Sequence, residues 1–412
     1  MTSVQSISRS QALRLIFKAQ LLDYRRKFPR GRKGLAQLID HLGYIQIDTI
    51  SVIRRAHHHT LWSRRGDYRS SMLWKLLRDD RRIFEYWGHA ASFLPIDDYR
   101  FYLPRMRRMA DPGGSWHRER LEKHRHMMQP VLERIKNEGP LSSKDFDPPP
   151  GKKRGSWWDW KPAKIVLELL FWQGDLMVTE RQKFQRCYDL TERVLPSHID
   201  TRYPDEIELG RFFVRRALQA QGVGTEKDIW EHLHGLSRTA VQKAIQILLE
   251  DGEIEQVSVT EIPGPLFYTL RGALENIPAR TAFRLHILSP FDNSIILRDR
   301  IQKLTGFDYR LECYLPSEKR KFGYFVLPVL WGIDFVGRLD AKAHRADGIL
   351  EIKVLHLEAV PKNNHRFWAA LSQRLQDFAR FNGCSKLNLR SVKPGLWDQP
   401  LRNSLESGME VV

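Results

Sequence analysis

The sequence is poor in cysteine: across 412 residues it has only Cys187, Cys313 and Cys384, far apart. That spacing excludes a disulfide framework and a thiolate zinc cluster, so the three read as reduced structural side chains. Long apolar runs are also missing, since no stretch reaches the about 18 residues of a membrane span. The opening MTSVQSISRSQALRLIFKAQ has neither an apolar core of about 7–15 residues nor a small-residue cleavage site, and a soluble cytoplasmic protein is expected. Negative charge is scarce too. Aspartate and glutamate number 49 against 67 lysines and arginines, a net charge of +18 spread along most of the chain. Such an excess favours a polyanionic partner, nucleic acid first, over a membrane or an acidic small molecule. What is present is a 42% hydrophobic composition, enough to bury a sizeable core in roughly two to four domains.

The chain repeats itself. GVGTEKDIWEHLHGLSRTAVQKAIQILLEDGEIEQVSVTEIPGPLFYTL places Thr225 and Ser237 as helix N-caps flanking a short HGL turn, a helix-turn-helix. Gly252 ends the second helix, and IEQVSV and LFYTL make a two-stranded wing around a turn with Pro263, Gly264 and Pro265. An earlier copy runs through IKNEGPLSSKDF and KPAKIVLELLFWQGDLMVTERQKFQRCYDL. Aligning Gly174 with Gly252 sets Leu170 and Phe171 on Leu248 and Leu249, Asp175 on Glu253, and Leu176 on Ile254. A first copy, resting mainly on Gly43, passes through SRSQALRLIFKAQ and LAQLIDHLGYIQID.

The expected fold is therefore α+β: three tandem winged helix-turn-helix units followed by a mostly β C-terminal domain. The units occupy residues 1–70, 125–200 and 205–272, and the C-terminal domain residues 280–412. Residues 71–124, with EYWGHAASFLP and YLPRMRRM, read as a helical insertion with an apolar face. The linker DPPPGKKRGSWWDW is proline-rich and basic, either an exposed phosphate-contacting loop or a connector. After residue 280 come short β-rich runs, YFVLPVLW, DFVGRLDA and ILEIKVLHLE, and then a terminal helix, WAALSQRLQDFARF.

The stretch YIQIDTISVIRRAHHHT holds the most unusual chemistry. On a wing strand, alternation sends Ile45 and Ile47 to one face and Gln46 and Asp48 to the other. Such a pair can face a groove, or cap a turn and satisfy backbone groups. Adjacent His57, His58 and His59 on a strand would point in alternate directions, with no cysteine or carboxylate to complete a metal set. Arg54, Arg55, Arg64 and Arg65 could bind phosphates, and DNA contact or packing suits His57 and His58.

YIQIDTISVIRRAHHHT, EYWGHAASFLP, HILSPFDN, YRLECYLPSEKRKFGYFVLPVLW and VGRLDAKAHR, in this order over most of the chain, resemble blocks of the winged helix-turn-helix DNA glycosylases of the AlkZ and YcaQ type. The resemblance implies that Gln46, Ile47 and Asp48 match the catalytic motif of the aspartate-bearing branch, associated with bulky N7-alkylated purines and interstrand crosslinks. An N7-alkylated purine is already cationic and leaves readily, so the remaining problem is the sugar. A carboxylate at Asp48 would stabilise the oxocarbenium-like transition state and orient water, while Gln46 holds the water or deoxyribose. No cofactor or metal is required, and no lysine at the motif suggests a lyase step. The implied partner is double-stranded DNA, bound by a monomer. The resemblance also implies a DNA-probing C-terminal hairpin, best matched by VGRLDAKAHRADGILEIKV with its Asp347-Gly348 turn and Arg338, Lys342, His344 and Arg345.

Two rivals remain at this level. Asp340, Glu351 and Lys353 have the spacing of a metal-dependent nuclease. Three winged helices could also serve a transcription regulator without catalysis, although such regulators usually dimerise on two-fold sites.

Overall fold

Three helices end on glycine in the left-handed conformation. Gly31–Leu42 stops at Gly43 (φ 78°), Trp160–Gln173 at Gly174 (φ 89°), and Arg238–Glu250 just before Gly252 (φ 65°). Only glycine takes this conformation without a steric cost, so each glycine forces the chain out of its helix. After one intervening residue each chain enters a strand: Ile45–Gln46, Leu176–Gln182 and Ile254–Val259. The computed structural model describes residues 4–23, 28–146, 160–361 and 365–405. The linker DPPPGKKRGSWWDW lies, up to its last residue, outside them.

The architecture is mixed α and β, and the chain divides into two compact units. One contains residues 1–27, 45–68 and 213–412; the other contains 28–44 and 69–212. These units do not follow the linear segments of the sequence, because the first gathers three separated stretches.

In the first unit, helices Glu226–His232 and Arg238–Glu250 meet across the HGL turn. The Thr225 hydroxyl accepts the Asp228 N–H at 3.2 Å, and the Ser237 hydroxyl accepts the Ala240 N–H at 3.1 Å. Gly235 is required in the turn, since a Cβ there would come within 2.2 Å of the Phe213 ring. Strands Ile254–Val259 and Phe267–Leu270 pair antiparallel behind these helices. Their sheet is widened by Val223–Thr225 on one edge and by Gln5–Ile7, parallel to Val257–Val259, on the other. Ile7, Leu13, Ile16 and Phe17 thereby join Val257, Phe267, Ile301 and Phe335 in one apolar core.

The C-terminal region is a sheet of Leu285–Ile287, Val326–Trp331, Asp334–His344, Ile349–Leu357 and Lys386–Leu389 in that order, with Val392–Lys393 also beside Ile349–Leu357. The first four run antiparallel; Lys386–Leu389 and Val392–Lys393 are parallel to their neighbour. Parallel pairing needs a crossover, which helix His365–Phe381 supplies. That helix, expected to be terminal, is thus internal to the sheet, and the described chain ends in helix Asp398–Leu405. Its buried Phe367, Leu371, Leu375 and Phe378 give it a lasting apolar face.

The second unit corrects the reading of 71–124 as a helical insertion. Helices Ser70–Arg78, Leu103–Ala110 and Ser115–His124 are present. EYWGHAASFLP, however, is a hairpin: Ile83–Trp87 pairs antiparallel with Ala91–Pro95, and the Gly88 N–H donates to the Ala90 carbonyl at 2.8 Å. Aromatic and β-branched side chains on both arms of a glycine turn favour strands. The buried Glu85 carboxylate there is gripped by the guanidinium groups of Arg181 and Arg186. Helix Trp160–Gln173 is followed by the hairpin Leu176–Gln182 and Gln185–Leu190, with Leu141–Ser142 on its edge. The order helix, glycine, hairpin is the one that the later copy also shows.

Candidate active site

Asp48 and Gln46 sit where a strand gives way to a turn. Regular strand covers only Ile45–Gln46, and Ile45 and Ile47 are buried. Gln46 is buried as well, 8% exposed, so the expected division into an apolar and a polar face is incomplete. Its Oε1 is enclosed and accepts no hydrogen bond among the described residues. A buried amide oxygen left without a donor costs about 1–3 kcal/mol, which makes it conspicuous on a two-residue strand. Asp48 is half-buried, and its Oδ1 accepts the Ile50 N–H at 2.7 Å, ending the strand in a tight side-chain turn. Burial raises its pKa above the ordinary aspartate value, opposed by the Ile50 N–H and the Arg55 guanidinium. The carboxylate is thus poorly hydrated yet fixed, the condition under which a negative charge acts most strongly on a nearby cation.

The next residues are held by the C-terminal sheet and its helix. The Ala343 N–H donates to the Val52 carbonyl at 2.8 Å, and the Arg345 guanidinium donates to the Ser51 carbonyl at 3.2 Å. The Arg54 N–H donates to Asn382 Oδ1 at 2.7 Å, and its Nε to the Phe381 carbonyl at the end of helix His365–Phe381, 3.1 Å away. A cation there also meets the negative end of the helix dipole. The hairpin Asp334–His344 and Ile349–Leu357 turns at Asp347-Gly348, as the sequence suggests, with Gly348 at φ 67°. Its tip therefore braces the segment that follows Asp48. Arg345 is exposed, yet partial desolvation lowers its pKa, and so do the adjacent charges of Arg54 and Arg55. Three guanidinium groups from two distant stretches thus stand close enough to repel one another, beside the N-terminus of helix Ala56–Arg64, which no side chain caps. Phosphate would relieve that repulsion. Lys342 is exposed on the same hairpin.

Other expected contacts belong to the core. His57, His58 and His59 lie on helix Ala56–Arg64, not on a strand, and all three are buried. His58 Nδ1 bonds the Tyr68 hydroxyl at 2.6 Å, and burial, followed by Arg54 and Arg55, pushes its pKa down to about 3. His57 packs its ring 4.3 Å from that of His58. His58 is thereby held neutral, and both rings are buried. Arg64 is fully enclosed, its guanidinium forked onto Asp292 at 2.6 and 2.8 Å and bonded to Gln20 and Thr60. Arg65 is 8% exposed and forked onto Asp67. Arg338 is paired with Glu358 and sandwiched between the Phe307 and Phe322 rings at 4.2 and 4.3 Å. These side chains are taken up by the scaffold, through burial and pairing that local sequence cannot show. His344 stands between the two groups, half-buried with Nε2 on Glu351 at 2.9 Å.

Of the nuclease constellation, Asp340 feels the charge of Lys353 and accepts the Tyr324 and Phe325 N–H groups, whereas Glu351 is bound by His344 and Arg390. Among the described residues no group of three or more His, Cys, Asp or Glu side chains is arranged to hold a metal. The sequence reading also missed two neighbours: the charge of Asp48 reaches Cys313 and Tyr314. Both lie inside YRLECYLPSEKRKF, and nothing local links that segment to a residue so distant in the chain.

A family model described as AlkZ-like DNA glycosylase matches residues 39–381. Among solved structures, the fold is similar to the DNA glycosylase AlkZ of Streptomyces sahachiroi, with a TM-score of 0.63 and 17% identity over 94% of this chain and 100% of that one.

Proposed function

The chain belongs to the AlkZ-like family of DNA glycosylases, and we propose that it is the hydrolase of N7-alkylated purines in duplex DNA, unhooking interstrand crosslinks by the same reaction and working as a monomer without a metal. An N7-alkylated purine carries its own positive charge, so protonating the leaving group contributes little. The barrier lies in the deoxyribose cation that forms as the bond to the base breaks. Asp48 faces that cation as a carboxylate and orients the attacking water; Gln46 turns its unpartnered Oε1 to that water or to the deoxyribose. Arg54, Arg55 and Arg345, with the exposed Lys342, hold the flanking phosphates. A base tied to the opposite strand cannot leave the duplex, so crosslink unhooking requires a site that meets the sugar from a groove.

The observation that carries the reading is the pairing of a half-buried, fixed carboxylate with a buried amide oxygen lacking a donor, two residues apart at a strand end. The test is incubation with N7-methylguanine or crosslinked duplex in EDTA. Release of the free modified base, leaving an abasic site, supports the proposal. Strand nicking only with magnesium would favour the nuclease, and sequence-selective binding without product would favour the regulator. Borohydride trapping of a covalent protein–DNA adduct would contradict a purely hydrolytic step.

A further inference from the structure

Residues 308–325 form a loop whose feet are pinned and whose tip is bare. The Glu312 carboxylate accepts the N–H groups of Phe322 at 2.8 Å and Gly323 at 3.2 Å, closing the loop across its base. Gly323, at φ 140°, passes so near Asp340 that a Cβ would lie 2.3 Å from its carboxylate oxygen. Arg320 donates from Nε to the Leu315 carbonyl at 2.9 Å and lies 5.0 Å over the Tyr324 ring. A loop so tied at its base would be expected to tuck away its apolar side chains. Instead Tyr314 is 78% exposed and Leu315 41% exposed, with Lys319 and Lys321 exposed nearby. Tyr314 is the most exposed large apolar side chain among the described residues. It also lies within electrostatic reach of the proposed reaction centre: the Asp48 charge acts on Tyr314, whose hydroxyl is hydrogen-bonded with the Cys313 thiol.

We propose that Tyr314 is a specificity-determining residue that turns its ring face to the positively charged edge of an N7-alkylated purine while Asp48 faces the sugar. The inference rests on the glycosylase reading and deepens it by naming what distinguishes damaged from normal purine. An unmodified guanine keeps the same Watson–Crick edge donors and acceptors as its N7-methyl form but for the added charge; it lacks one methyl group and retains the N7 acceptor, and above all it lacks the formal charge. The negative face of an aromatic ring senses that difference, and does so without a polar group that would have to be desolvated. The exposed loop position suits a lesion approached from a groove, since the ring need not enter a closed pocket. The adjoining lysines lie on the same tip and meet the phosphates on either side.

Binding, not turnover, gives the cleanest test. The probes are duplexes carrying 2′-fluoro-N7-methylguanine, whose glycosidic bond resists cleavage, or 2′-fluoroguanine at the same position. Wild-type protein should bind the charged lesion more tightly, and Tyr314→Ala should lose roughly five- to thirty-fold of that preference. Tyr314→Phe should restore it, because the ring face remains. A Tyr314→Ala protein that still prefers the charged duplex as wild type does would overturn the proposal. So would a Tyr314→Phe protein that behaves like the alanine variant, since the hydroxyl would then be the recognising group. The side chain is so exposed that neither substitution should unfold the protein, and far-ultraviolet circular dichroism checks this. The comparison needs no catalysis, so it can fail while base release by the wild type still stands.

Discussion

At the scale of single residues, two aspartates in the same unit show what surroundings do to one functional group. Asp292 is fully enclosed, and burial alone would push its pKa up; Arg64 and Ser294 outweigh that and hold the carboxyl below its ordinary value. A depressed carboxylate contributes stability above its unfolded pKa, lost as pH falls through the folded one. Asp292→Ala leaves the Arg64 charge enclosed without a partner, and should lower stability by about 3–5 kcal/mol, read as a shift in urea midpoint. Asp48 is the opposite case. Its pKa is raised, chiefly by burial, and the reaction uses the ionised form, so single-turnover excision should fall with decreasing pH along a limb above the ordinary aspartate range. Arg55→Ala removes a charge that opposes the shift and should move this limb to still higher pH; a limb that stays in place would separate Asp48 from the rate. Asp48→Asn should slow excision about 10²–10³-fold or more. Because the ionised form is disfavoured in the fold, the same change should leave the thermal midpoint equal to or above that of the wild type. A midpoint several degrees lower would mean that the carboxylate is structural.

At the scale of elements, glycine was readable and burial was not. Gly43, Gly174 and Gly252 mark their helix ends because one backbone conformation excludes other side chains, a constraint that needs no knowledge of neighbours. Gly43→Ala should accordingly cost about 1–2 kcal/mol in chemical denaturation, and Gly43→Asn less. A neutral alanine variant would mean that the left-handed cap is not needed. The N-caps Thr225 and Ser237 were legible for a similar reason, since their hydroxyls act on N–H groups of the same segment. The histidine run was not. Three consecutive histidines suit DNA contact or packing alike until their surroundings are known: His59 donates from Nε2 to the Ile287 carbonyl at 2.9 Å and packs on Phe378, partners hundreds of residues away. The same limit hid the EYWGHAASFLP hairpin, where aromatic content suits a buried helix as well as a strand until a partner strand decides. Gln46 and Asp48 could be singled out through a resemblance in sequence; the bracing of the segment after Asp48 by Ala343, Arg345 and Asn382 could not, because those bonds join stretches about 300 residues apart.

At the scale of the whole molecule, the excess of positive charge divides into cations that hold the protein together and cations left for a partner. The net charge of +18 counts both equally. Arg64, Arg181 and Arg186 neutralise buried carboxylates, and Arg338 is paired with Glu358 between two rings, so none of these has a counterion to release on binding DNA. Counterion release, and with it the salt dependence of affinity, depends on the phosphates neutralised and not on total charge. Arg345 is exposed and stands with Arg54 and Arg55, so Arg345→Ala should reduce the slope of log affinity against log salt by about 1 on duplex DNA, damaged or not. Removing the pairing partner of a scaffold arginine, as in Glu358→Gln, should instead leave the slope within error. If Arg345→Ala also left the slope unchanged while weakening binding, its guanidinium would act only through the Ser51 carbonyl, as a brace for the segment after Asp48. Measuring the slope on undamaged duplex separates that bracing from phosphate contact, because a brace affects the damaged nucleotide while a phosphate contact acts on every sequence alike.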